Sequence, residues 1–356
     1  MFAMTLSLSG CSDPSTPSPS RDKHDVTVVS DETSPTDPIS SADYQTCAST
    51  HILQTASASP KENGMVFITG GRFMMGHESI LNREEGPVHP VDVSDFWISA
   101  HEVTNAQFAA FVSATNYVTL AEKQPEAIAG APARMNQPGS AVFSMPSSIP
   151  DAAEGWWDYV PGANWRHPEG PGSTLEGREH HPVVHIAFTD AVAYADWLGH
   201  SLPTEAQFEF AARGGLESAY YAWGDTFMPD KVHRANTWQG FFPVQNSASD
   251  GYLTTAPGGC YEPNGYELYD MIGNVWEWTG DWYQGAHTPA NTPNPTGPSS
   301  KDAYTDGVST FRVIKGGSFL CADNYCARYR PAARHPQDTG LGTNHVGFRT
   351  VVNISQ

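Results

Sequence analysis

The sequence predicts an α+β fold in which turns and irregular backbone outweigh helix and strand. Three observations lead there. Of 356 residues, 32 are Gly and 28 are Pro, and both residue types interrupt periodic structure. Only three stretches combine helical spacing of apolar residues with a start signal. The strand-like runs are short, and no internal repeat joins them into an array.

In chain order, Leu8-Ser9-Gly10-Cys11 resembles the lipobox of bacterial lipoproteins, in which the Cys is lipidated and becomes the mature N-terminus. It implies membrane attachment through Cys11 and a place in the bacterial cell envelope, facing the periplasm. Without that processing the expected place is the cytoplasm. A tract rich in Ser, Thr, Pro and Asp follows and reads as a disordered tether. The expected division is a short signal at 1–11, a tether at 12–61 and one domain at 62–356, because no second linker interrupts the last part.

Met65-Val66-Phe67-Ile68 opens the domain with strand-like alternation, and Phe96-Trp97-Ile98 and Arg312-Val313-Ile314 read as further short strands. Thr104-Asn105-Ala106-Gln107 is a capping-box pattern, with Phe108, Phe111 and Val112 then falling on one face. A second helix is expected to start on Thr189, to bury Val192, Ala195 and Leu198, and to stop at Gly199. Pro203-Thr204-Glu205-Ala206-Gln207 opens a third, which turns Phe208, Ala211 and Ala212 inward and ends at Gly214-Gly215. The segment from Gln124 to Asp158 and the Pro-rich insertion from Gln284 to Asp306 read as long loops, a feature that often carries function.

Charge and hydropathy exclude whole classes. The net charge is −20, so the basic footprint of a nucleic-acid binder is missing. No run of eighteen apolar residues exists to cross a membrane as a helix. The acidity reads first as a source of solubility, and second as a surface that would favour a substrate carrying arginine.

The chemistry gathers on cysteine. Cys321 and Cys326 are spaced to bring their sulfurs together across one turn. By residue type alone a disulfide ranks first, and Cu(I), a soft ion of low coordination number, second. Zinc ranks lower, because it usually takes four ligands. Cys47 and Cys260 lie outside this motif and are expected to pair with each other if the domain is exported.

The surrounding sequence reverses that ranking. The stretch from Arg312 to Arg334, RVIKGGSFLCADNYCARYRPAAR, closed by His345-Val346-Gly347-Phe348-Arg349, resembles the C-terminal signature of formylglycine-generating enzymes, also called sulfatase-modifying factors. Gly70-Gly71-Arg72-Phe73-Met74-Met75-Gly76, Glu102-Val103-Thr104-Asn105 and Gly273-Asn274-Val275-Trp276-Glu277-Trp278 extend the likeness over nearly all of 62–352. The resemblance implies a C-type-lectin-like fold braced by calcium. It also implies a monomeric, copper-dependent oxidase that uses dioxygen and a thiol reductant. Its substrate would be an unfolded sulfatase polypeptide, whose Cys-x-Pro-x-Arg cysteine becomes Cα-formylglycine.

By the same resemblance Cys321 and Cys326 hold Cu(I) almost linearly, while Ser318, Trp276, Tyr325 and Arg334 match positions around the reaction pocket. One Ca²⁺ site maps onto Asn236, Thr237, Asp250 and Tyr252, and a second onto Asp270, Gly273, Val275 and Glu277. Both sets mix carboxylate and carbonyl oxygen, as a hard ion requires. The run Asp338-Thr339-Gly340-Leu341-Gly342-Thr343 departs from the family's serine-rich segment, which bears on substrate binding. Two rival readings are a calcium-braced, non-catalytic lectin-like binding module and a periplasmic tailoring oxidase with another substrate. Neither needs the cysteine pair, and its presence favours the sulfatase-directed enzyme.

Overall fold

The computed structural model describes residues 59–354 apart from 62, 127–129, 151–152 and 290–291. Cys11, the tether and Cys47 lie outside the described residues, and so does the expected Cys47–Cys260 pairing.

Two sheets organise the domain. In the first, β1 (Met65–Ile68) pairs antiparallel with β4 (Phe96–Ser99), and β11 (Val351–Asn353) returns from the C-terminal end to the other edge of β4. Between them β2 (Gly71–Met75) and β3 (His89–Val93) form a separate hairpin. The second sheet has the order β10-β7-β8-β9, with β7 (Trp276–Trp282), β8 (Phe311–Lys315) and β9 (Arg334–Asp338) antiparallel, and β10 (Val346–Gly347) parallel to β7.

The three expected helices are present: α1 (Asn105–Thr115), α2 (Phe188–Leu198) and α3 (Glu205–Arg213). Thr104 closes a reciprocal capping box on α1, donating its N–H to Gln107 Oε1 at 2.8 Å while its hydroxyl accepts from Gln107 N–H. Thr204 and Gln207 do the same for α3. The start of α2 differs from expectation. Ala187 stands at the cap, Thr189 is exposed, and Asp190 reaches back to accept from Ala187 N–H at 3.0 Å. The buried stripe is Ala191, Tyr194, Ala195 and Leu198, with Val192 only half-buried. Gly199, with φ +71°, ends the helix as expected.

The segment from Gln124 to Asp158 is not a plain loop. It contains β5 (Gly139–Phe143), paired antiparallel with β6 (Trp157–Pro161). The insertion from Gln284 to Asp306 holds neither helix nor strand among its described residues.

The core couples these layers to the cysteines. Phe108, Phe111, Tyr194 and Leu198 of the helices pack with Trp276, Trp278 and Ile314 of the second sheet, and the same cluster contains Cys321, Cys326 and Tyr329. Each large apolar side chain buried in this way contributes roughly 1.5–3 kcal/mol. Buried ion pairs tie down the irregular parts: Arg330 to Glu85, Arg334 to Glu205 and Arg349 to Glu277.

Candidate active site

The thiol pair is built by the turn that follows β8. Gly316 and Gly317 take φ of +91° and +80°, a region that L side chains rarely adopt. A Cβ at Gly317 would also stand 2.8 Å from Arg328 O, so the two strands of the loop close only over glycine. Ser318 follows, fully buried, and accepts Cys321 N–H on its carbonyl at 2.9 Å. Its own N–H donates to Cys321 Sγ at 3.4 Å. One short turn later Cys326 N–H donates to Ala322 O at 2.9 Å, bringing the sulfurs of Cys321 and Cys326 to 3.6 Å from each other.

Both cysteines are buried. Burial pushes the Cys321 thiol up to about 11, against smaller opposing effects of Ser318 and Arg328. Without a metal it is therefore protonated at neutral pH, and a bound soft ion would displace that proton. At 3.6 Å the two sulfurs are too far apart for an S–S bond to each other. The donor set fits a soft ion: two cysteine sulfurs 3.6 Å apart on one buried loop would hold it.

Trp276 and Tyr325 sit beside the pair in different ways. Trp276 is buried in the thiol cluster and stacks on His335 at 5.8 Å. Tyr325 is half-buried, lies flat on Phe242 with centroids 4.6 Å apart, and meets the edge of Trp156. Phe143 at the end of β5 stacks on the same Phe242, which gives the cysteine loop an aromatic wall.

Arg334 is held by a buried ion pair. Nε and Nη2 donate to Glu205 at 2.7 and 2.8 Å, and Nη1 donates to the carbonyls of Glu84 and Gly285. Its guanidinium thus has four of its five donors engaged. Burial pushes the Glu205 carboxyl up, but Arg334 and the neighbouring cations outweigh it and hold the group down to about 2.

The proposed calcium ligands fall into two pockets of unsatisfied oxygen. Asn236 Oδ1 is buried without a hydrogen-bond partner, and Asp250 accepts from Thr237 N–H at 2.9 Å. Near the second set, Asp270 Oδ1 is likewise buried and unpartnered. Glu277 spends both oxygens on Arg349, at 2.7 and 2.8 Å. Glu102 adds an unpartnered buried Oε2, and burial together with the Asp270 and Glu277 carboxylates pushes its own carboxyl well up. Asp270 and Asn274 both have φ above +50°, and that backbone strain persists only where something holds it. Burial pushes the Asp250 and Asp270 carboxyls up to about 6. Among the described residues no three His, Cys, Asp or Glu side chains converge on one point, so amide and carbonyl oxygens would have to complete either site.

A family model described as a sulfatase-modifying factor enzyme 1-like domain matches residues 51–354, starting ahead of the boundary expected at 62. The chain is 48% identical over 300 residues to a formylglycine-generating enzyme of Thermomonospora curvata, covering 82% of this chain and 94% of that protein. It is 36% identical over 293 residues to a mouse protein named inactive C-alpha-formylglycine-generating enzyme 2, covering 81% and 85%. Among solved structures, PvdO from Pseudomonas aeruginosa aligns with a TM-score of 0.53 at 23% identity, over 81% of this chain and 93% of that one. That likeness fixes the fold.

Proposed function

The chain belongs to the sulfatase-modifying factor enzyme family, and on that premise we propose that it matures sulfatases by copper-dependent conversion of a cysteine to Cα-formylglycine. The family also holds a protein named inactive, so fold alone does not carry the activity. The carrying observation is the buried Cys321–Cys326 pair, with sulfurs 3.6 Å apart.

Two soft thiolates select Cu(I) and leave room for a third sulfur, that of the substrate. Copper supplies the redox partner that lets dioxygen react with a closed-shell thiol. The protein's own residues do the rest. Ser318 steadies Cys321 through its N–H, Trp276 and Tyr329 exclude water from the buried side, and Tyr325 with Phe242 walls the entrance. A thiol reductant supplies the electrons that dioxygen needs beyond those of the substrate.

The substrate arginine is assigned to a cavity at the Gly139 end of β5. Gly139 borders a cavity of about 450 Å³ that Glu126, Asp306 and Asp338 also line, and Phe143 ends at the aromatic wall. At about 3.3 Å per residue the strand covers about 13 Å. The cysteine and arginine of Cys-x-Pro-x-Arg are separated by the same number of residues. With the cysteine at the thiol pair, an extended peptide of that length would carry its arginine toward the carboxylates of this largely apolar cavity. Steady-state kinetics test this: replacing the peptide's arginine with alanine is expected to raise KM about 10–100-fold, the worth of a charged hydrogen bond, with little change in kcat. Equal KM values for the two peptides would remove the cavity from the account.

Calcium would fill the two oxygen pockets and act on stability alone. In a chelator, the proton-linked stability of Asp250 and Asp270 is fully present below their unfolded pKa of about 3.9. It is lost as pH rises through their folded value of about 6, because the folded state binds the protons more tightly. The melting temperature of the chelated protein should therefore fall between pH 4 and 7 (roughly the window set by those two values), and added Ca²⁺ should restore it at the upper end. A melting temperature at pH 7 that ignores Ca²⁺ contradicts both sites.

A further inference from the structure

The cavity beneath the Pro-rich insertion carries a donor set that the thiol chemistry does not use. Met75 and His89 are cross-strand partners in the β2–β3 hairpin, and both side chains are buried. His287, in the insertion, lays its ring against His89 with centroids 5.2 Å apart and planes at 55°. Its backbone N–H is anchored on Gly86 O at 2.8 Å, and its ring carbon lies within reach of any Cβ placed on Gly76. All three side chains line one cavity of about 440 Å³.

Their nitrogens are poised to bind. His89 Nδ1 lies 2.9 Å from Pro87 O, which can only accept, so Nδ1 carries the proton and Nε2 keeps its lone pair. This is the second-partner arrangement typical of metal-binding histidine. His287 Nε2 is buried with no hydrogen-bond partner, a state that calls for an explanation.

We propose that Met75, His89 and His287 form a second copper(I) site, distinct in its ligands from the cysteine pair. A thioether is a soft donor that favours Cu(I), and imidazole accepts copper readily. Of the carboxylates lining the cavity, Glu205 gives both oxygens to Arg334, and Asp281 Oδ2 accepts from Glu205 N–H. No three His, Cys, Asp or Glu side chains converge among the described residues, and Met75 would add a soft donor to the two imidazoles. The proposal stands on these residues and does not depend on copper at Cys321 and Cys326.

Full-length protein carrying Cys321→Ser and Cys326→Ser, titrated anaerobically with Cu(I) against a chromogenic chelator, isolates the second site. It should retain one equivalent of Cu(I). Adding Met75→Leu, which conserves volume, should weaken Cu(I) by about 10–100-fold or more and leave Zn(II) binding unchanged. Adding His287→Gln should abolish retention, with circular dichroism unaltered. If the double Ser protein does not fold, reduced wild-type protein should hold two equivalents and its His287→Gln variant one. No Cu(I) retained, retention indifferent to His287→Gln, or tighter binding of Zn(II) than of Cu(I) would overturn the site.

Discussion

Replacing Cys321 or Cys326 with Ser is expected to reduce aldehyde formation by at least about 100-fold, since loss of a mere supporting partner already costs up to that much at a metal centre. A hydroxyl is a hard, poorly ionised ligand where a soft thiolate is required. Both sulfurs are buried against Trp276, Ile314 and Tyr329, so no water or neighbouring side chain can take their place. The domain should stay folded, at a cost of about 1–3 kcal/mol from burying a hydroxyl. Copper stoichiometry, melting temperature and peptide turnover, measured on the same preparations, separate loss of ligand from loss of fold. Either single variant turning over at half the wild-type rate would show that the pair is not the reaction centre.

The largest effect on stability is expected at Arg349. Its guanidinium is buried among Glu277, Asp270 and Glu102, and it donates to Glu277 and to the carbonyls of Ser99, Tyr269 and Asp270. Arg349→Met removes the cation and leaves three buried carboxylates without it, which should cost about 3–5 kcal/mol. The fully burdened site is one that binds calcium more eagerly, so added Ca²⁺ should recover part of the loss. A companion Glu277→Gln in the same chain removes one of the orphaned charges and should be less destabilised than the single variant. Urea unfolding midpoints with unchanged slope give the comparison directly. A loss below about 1 kcal/mol, the scale of an exposed pair, would mean the cluster is solvated in solution.

What could be read from the sequence follows how local each feature is. The thiol pair, its Gly-Gly turn and Ser318 lie within a few residues of each other, and the structure brings them together through bonds inside that one loop. The capping boxes at Thr104 and Thr204 are local for the same reason. At α2 the local signal was present but misread: Asp190, three residues past Ala187, supplies the cap that a Thr was expected to give. Strand β5 escaped notice because Gly139-Ser140-Ala141-Val142-Phe143 is buried on both faces and so shows no alternation. Arg334 shows where sequence runs out. Its partner Glu205 is 129 residues away, and only the fold reveals the ion pair between them. Glu102 is similar, since it meets Asp270 and Glu277 only when β4 and the loop before β7 are packed together.

The central claim is that the reduced thiol pair, loaded with copper, makes an aldehyde of a peptide cysteine. Its most direct measurement is mass spectrometry of a Cys-x-Pro-x-Arg peptide incubated with dioxygen, a thiol reductant and enzyme titrated with Cu(I). The account predicts a mass loss corresponding to thiol-to-aldehyde conversion, at a rate that rises with copper and levels off once Cys321 and Cys326 are occupied. Folded, copper-loaded protein that leaves the peptide thiol unchanged, or converts it equally well with all copper removed, would contradict it.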